Sequence, residues 1–200
     1  MGRRKDTVLK HDLTFLKPLV ATILRDRNRE WTVQGFGFLR TYFGSPEQPK
    51  KYRLNLWDSR LTVPNVSTIH DHPWDFKSVI IAGHFENQRY QMQNDGNKTH
   101  NYAILKTGIG GMLSNDIKTC SLYPDIPEIY LPGDTYSQKA NEIHETKFLD
   151  GSVTINERIG DTEHARVFWN YPSNWVDAIP RTATLHERDV IISHSLEKWF

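Results

Sequence analysis

Cysteine is almost missing from this chain: Cys120 is the single one in 200 residues. No intrachain disulfide can form, and the composition fits a reducing compartment. An excess of either charge is missing too. The 25 basic and 24 acidic residues leave a formal net charge of +1, so no global field draws the chain to nucleic acid or to a membrane surface. A local basic cluster such as Arg3-Arg4-Lys5 reads as a solvated terminus. No apolar run approaches the ~20 residues of a membrane helix. The N-terminus has no signal-peptide apolar region, and Asp6 stands where a myristoylation start needs Ser or Thr. Repeats of fixed period and low-complexity segments are absent. The expectation is a soluble cytoplasmic protein with no membrane or nucleic-acid partner, in one domain long enough for a proper core.

Aromatic residues are plentiful, at 12% with six Trp, which suits packed β structure with aromatic-lined cavities. Residues 1–30 read as a polar tail followed by a helix. Leu16, Leu19, Val20, Ile23 and Leu24 recur at helical spacing, and Pro18 fits the first turn, so the helix starts near Leu16. Residues 31–180 alternate short β-rich runs with turn signals. The runs are Phe36–Phe43, Tyr52–Trp57, Ser67–His72, Ser78–Ala82, Phe85–Gln91, Tyr102–Leu105, Ile126–Leu131, Thr135–Lys139, Ile143–Phe148, Val153–Ile159 and Arg166–Trp169. Gly44-Ser45-Pro46, Asp95-Gly96-Asn97, Pro132-Gly133-Asp134 and Asp150-Gly151 punctuate them. Many short strands at close spacing argue for an all-β sandwich or barrel. Residues 181–200 form a C-terminal extension whose period does not decide between helix and strand.

His70-Asp71-His72 carries the chemistry. On a strand, residues two apart share a face, so His70 and His72 aim two imidazoles into one space. Imidazole suits Zn, Fe, Ni and Cu. A third histidine, His144, lies far downstream. Gly83 follows the histidine pair, and Gly133 precedes His144 by eleven positions.

These two spacings, in this order, resemble the paired motifs of the cupin superfamily over Arg53 to Trp169. The resemblance implies a double-stranded, jelly-roll-like cupin barrel with the N-terminal helix packed outside it. It implies a metal held by His70, His72 and His144. The position where cupins usually carry a Glu ligand holds Phe76. A three-histidine set resembles that of cysteine dioxygenase and other thiol dioxygenases, as does the run Ser67-Thr68-Ile69-His70-Asp71-His72. Where those enzymes carry a catalytic His and Tyr, an ungapped count gives Asn156 and Arg158. The run Trp57-Asp58…His70 to Phe76, with Arg166…Trp169…Pro172…Trp175, is similar to uncharacterised bacterial and phage cupin-like proteins.

Three neutral imidazoles leave a divalent ion its full charge and open coordination positions. The implied cofactor is one divalent metal ion, Fe(II) favoured, with Zn, Ni or Mn as alternatives. The implied partner is a small anionic molecule, and a homodimer is compatible with the reading. Arg53 and Asn55 share a strand face with Trp57, and Asn156 and Arg158 share one with Thr154. These four are the candidate substrate-binding residues, with Arg53 and Arg158 the candidate anion clamps. Asp75 is the candidate acceptor that orients a ligand histidine. Asp71 must point away from the site. Arg89 and Gln91 are expected to be exposed, and Cys120, Tyr123 and Tyr136 carry no role. The activity this suggests is an Fe(II)-dependent dioxygenase. A metal-dependent isomerase, epimerase or lyase, and a non-catalytic ligand-binding cupin, remain alternatives, because one fold hosts many chemistries.

Overall fold

Helix α1 (Leu16–Arg25) begins where the periodicity places it, with Pro18 inside the first turn, and it buries Val20, Ala21, Ile23 and Leu24. The computed structural model describes residues 11–64, 66–106, 116–160, 164–170 and 180–200. The Arg3-Arg4-Lys5 cluster, Pro172 and Trp175 lie outside the described residues. The strands are β1 (Thr32–Gln34), β2 (Phe36–Ser45), β3 (Gln48–Thr62), β4 (Ile69–His70), β5 (Asp75–Ala82), β6 (Phe85–Gln93), β7 (His100–Lys106), β8 (Lys118–Pro124), β9 (Glu128–Tyr130), β10 (Thr135–Gln138), β11 (Ile143–Phe148), β12 (Ser152–Ile159), β13 (His164–Asn170) and β14 (Arg181–Thr182). Helix α2 (Leu185–Trp199) ends the chain.

Two seven-stranded sheets form, and the described pairings are antiparallel. The first runs β10-β5-β12-β3-β2-β1-β14 and the second β11-β4-β13-β7-β8-β6-β9. In the second, β11 also pairs with β6. Strands β11, β4, β13, β7, β8 and β6 therefore close into a six-stranded antiparallel barrel. The molecule is all-β, with a barrel and an N-terminal helix, as the spacing of its strand signals predicts.

Side-chain alternation divides the first sheet into two faces. Leu54, Leu56, Val153, Ile155 and Ile81 point outward into an aliphatic core completed by Val20, Ile23 and Leu24 of α1 and Ile191 and Ile192 of α2. The opposite face carries Phe38, Trp57, Phe76, Ile80 and Tyr136, which meet Phe85 and Phe148 of the second sheet. Trp57 bridges the sheets, with ring centroids 5.0 Å from Phe85 and 5.1 Å from Phe148. A third cluster, including Cys120, Leu122, Ile143 and Phe168, lies on the other side of the second sheet.

The segments outside residues 31–180 complete this architecture. β14 adds an edge to the first sheet through β1. α2 is set by a capping box: the Thr184 side chain accepts from the Glu187 N–H, and the Glu187 carboxylate accepts from the Thr184 N–H.

The expected strand Ser67–His72 is cut to Ile69–His70. The Asp71 N–H still donates to the Arg166 carbonyl (3.0 Å), but the return bond goes to the Asp71 carboxylate, which takes the Arg166 backbone N–H (2.5 Å) and Nε–H (2.6 Å), so side-chain bonding takes over part of the ladder there. Pro73 has no N–H to resume it. Both motif glycines have positive φ, +90° at Gly83 and at Gly133. A Cβ at Gly83 would lie 2.0 Å from Ser152 Oγ, so the turn between β5 and β6 needs glycine on two counts.

Candidate metal centre

His70 and His144 are direct cross-strand partners on β4 and β11. That places their imidazoles side by side on the face turned toward the first sheet, with centroids 4.9 Å apart. His72 comes from the segment just after β4. Asp71 fixes that segment to β13 through Arg166, and the Asn141 N–H donates to the His72 carbonyl (3.0 Å). Arg166 also donates to the Asn141 carbonyl (3.2 Å), so one guanidinium holds both loops that frame the site. Asn141 sits at φ 62°, a conformation Asn tolerates better than most residues. As expected, Asp71 points away from the histidines.

One ligand atom from each histidine lies within 4.8 Å of the others. His72 Nε2 and His144 Nε2 are 3.1 Å apart. Two nitrogens at ~2.0–2.1 Å from one ion are separated by ~3.3 Å in a tetrahedral site and ~2.9 Å in a cis-octahedral one. The observed spacing falls between them.

Hydrogen bonds decide which nitrogens face inward. His70 Nδ1 lies 2.8 Å from the Thr68 carbonyl, which can only accept. Nδ1 therefore carries the proton and Nε2 keeps its lone pair. His144 is set by a longer chain. Gln138 Nε2 donates to the Glu142 carbonyl (3.1 Å), Asn87 Nδ2 donates to Gln138 Oε1 (3.3 Å), and Asn87 Oδ1 then faces His144 Nδ1 (2.8 Å). The acceptor-only carbonyl at the far end orients both amides. It leaves His144 with its proton on Nδ1 and a free lone pair on Nε2. Asn87, Gln138 and His144 are all buried. Such outer acceptors fix ligand orientation in metal sites.

Aromatic rings enclose the triad. Phe36 stacks on His70 at 4.9 Å and 15°. Phe76 meets His72 edge-on at 5.0 Å, so the ring faces an apolar wall there. Among the described residues no carboxylate belongs to the cluster. Burial holds the His70 pKa below its ordinary 6.5, and it holds His72 and His144 well below. Positive charge adds to the effect: His70, His144 and Arg53 act on His72, and His70 and Arg89 on His144. At neutral pH all three imidazoles are neutral, the form in which they ligate. The donor set and its protonation fit a divalent ion.

The inner face of the first sheet forms the floor opposite the triad. A row of cross-strand partners runs Tyr42–Arg53–Asn156–Ser78–Tyr136. Arg53 is half-buried, lies over the Phe38 ring (5.7 Å), and its charge acts on both His70 and His72. Asn55 and Asn156 are buried and bonded into the floor: Asn55 Nδ2 donates to Thr154 Oγ1 (3.1 Å) and Asn156 Oδ1 (3.0 Å), and Ser78 Oγ donates to Asn156 Oδ1 (3.3 Å). Arg158 is exposed and stacks on Trp74 at 4.3 Å, while Trp74 lies 5.5 Å from His72.

Asp75 requires a correction. Its carboxylate accepts from Lys139 Nζ (2.7 Å) and the Ala140 N–H (2.8 Å). The acceptors for the histidines are Thr68 and Asn87. Sequence reasoning missed Asn87, although strand alternation places it on the face of buried Phe85. It also missed Gln138 and Tyr136, which alternate along β10. Arg89 is half-buried rather than exposed, the cross-strand partner of His144, and it pairs with Glu128.

In comparisons with known proteins, no family model matches the chain and no curated protein matches it.

Proposed function

We propose that this chain is a mononuclear metal cupin of the three-histidine kind, acting as an Fe(II)-dependent dioxygenase on a small anionic substrate. The observation that carries the reading is the convergence of three neutral imidazoles, two with Nε2 freed because an oxygen accepts from Nδ1, with no carboxylate in the set among the described residues. The motif spacing of Gly83 and Gly133 supports the cupin assignment. A bound divalent ion supplies Lewis acidity there and, as Fe(II), redox chemistry with dioxygen. Without a protein carboxylate, the charge of the site calls for an anionic ligand.

The chain's own residues do the rest. His70, His72 and His144 hold the ion. Phe36, Phe76 and Trp74 keep water from their rings. Arg53 directs the anion from the floor, and Arg158 stands at the exposed Trp74 edge. Tyr136, whose phenol burial keeps protonated well past neutrality, is a further hydroxyl donor on the floor, in the same cross-strand row as Arg53.

A non-catalytic ligand-binding cupin is favoured by one observation. Asn156, which stands where thiol dioxygenases carry an ionisable catalytic group, is bonded into the floor. Oxygen uptake separates the two readings. Protein loaded anaerobically with Fe(II) is mixed with a panel of thiols and small carboxylates. The enzyme reading expects oxygen consumption coupled to one of them and lost in His72→Ala. Fe(II) binding without consumption on any member leaves the binding reading.

A further inference from the structure

Arg40 and Arg53 differ from the other well-placed arginines of this fold. Arg60 pairs with Asp58, Arg89 with Glu128, Arg166 with Asp71 and Arg181 with Glu187. Among the described residues no carboxylate pairs with Arg40 or Arg53, and the buried Nε of each has no hydrogen-bond partner. The two are diagonal neighbours on the inner face, since Arg40 stands opposite Asn55 and Tyr42 opposite Arg53. Cross-strand diagonals of ~7–8 Å are within reach of long side chains.

Burial pulls the Arg53 pKa down to about 10, and the Arg40 charge pulls the same way, while the phenols of Tyr42 and Tyr136 oppose them. Arg53 stays cationic at neutral pH all the same. Two half-buried guanidinium groups side by side, with no counter-charge, are unfavourable unless an anion sits between them. Their floor neighbours Asn156 and Ser78 carry no charge, and burial keeps the Tyr136 phenol protonated, so none of these supplies an anion there.

We infer that Arg40 and Arg53 form a subsite for the phosphate group of a phosphate monoester, whose other end faces the three histidines. The inference rests on the proposed function for that second half only. A carboxylate would neutralise one guanidinium and leave the other uncompensated. A phosphate monoester carries close to two negative charges at neutral pH and three acceptor oxygens, enough for two forked donors.

Calorimetric titration of full-length, chelator-treated protein tests this without the metal. The probes are inorganic phosphate and acetate, at pH 7.5 and constant ionic strength. Wild type is expected to bind phosphate saturably at one site, with acetate at least tenfold weaker. Arg40→Gln and Arg53→Gln are each expected to weaken phosphate at least tenfold while melting cooperatively and taking up zinc at wild-type stoichiometry. Arg40→Lys, which keeps the charge and loses the fork, is expected to fall between. No saturable phosphate binding, acetate binding as tightly as phosphate, or wild-type phosphate affinity in both Gln variants would each overturn the subsite. Because phosphate is titrated without metal and zinc uptake is scored separately, failure here leaves the metal reading standing, and failure of zinc uptake leaves the subsite standing.

Discussion

The two faces of the first sheet are built by the same strands, and they are unlike. Outward, Leu54, Leu56, Val153 and Ile155 meet the helices in a mainly aliphatic core, whose unpartnered polar atoms include Trp31 Nε1 and Trp199 Nε1. Inward, Arg53, Asn55, Thr154 and Asn156 alternate with them and form a polar floor with unpartnered atoms, Arg53 Nε and Asn55 Oδ1 among them. The outer face gains stability from buried area. The inner face gives some of it up, since buried polar atoms without partners are unfavourable. A one-residue shift in register would exchange the two. Covering the sheet on both sides is what lets one set of strands serve both ends.

The contrast can be broken most forcefully from the apolar side. Leu56 is fully buried between β3 and the helices. Leu56→Ala is expected to cost about 2–5 kcal/mol in urea unfolding, with zinc stoichiometry unchanged in the folded protein. Coupled loss of zinc and stability would mean that the faces are not separable.

A smaller effect, on metal affinity rather than stability, is expected across the site on β6 of the second sheet. Asn87→Leu removes the acceptor that orients His144 and leaves all three ligands present. Metal affinity should fall about 10–100-fold, measured by competition with a chromophoric chelator. Unchanged affinity would show that the Glu142–Gln138–Asn87 chain does not set the tautomer.

Smaller still is the capping box of α2, which closes the outer core. Thr184→Ala should cost about 1 kcal/mol and leave metal affinity unaltered.

The smallest effect is in the pH dependence near neutrality. His70, His72 and His144 titrate below 6.5 in the fold, chiefly through burial, and near 6.5 in the unfolded chain. Between those values the unfolded state binds more protons, so metal-free stability rises with pH. Denaturation midpoints should fall slightly from pH 7.5 to 6.5 and further below that. A flatter profile is expected in His72→Gln, and an identical one would remove the site from the account.

Much of this was legible in the chain. The run of short strands, the α1 start at Leu16 and the three histidines could be read because each is a local pattern. Three strands were missed for physical reasons. β1 and β14 have only three and two residues, and they become strands only through their neighbours, β1 against β2 and β14 against β1. β8, with Lys118, Thr119 and Ser121, carries only Cys120 and Leu122 as its buried apolar face, too short an alternation to stand out. α2 escaped a reading by period, yet Thr184-Leu185-His186-Glu187 had the capping-box spacing. Asp75 was misjudged because proximity in sequence to His72 says nothing of which way a carboxylate at a strand start turns. Asn87 and Gln138 were out of reach for the same reason. Their role exists only once β6, β10 and β11 are brought together. Arg40 became visible only when the strand register put it beside Arg53.

Zinc titration of metal-free protein, followed by calorimetry, addresses the central claim directly. The account predicts one zinc per chain for wild type, none for His72→Ala, and one for His164→Ala, since His164 is exposed on β13 and outside the triad. No stoichiometric binding by wild type, or full binding by His72→Ala, would contradict it.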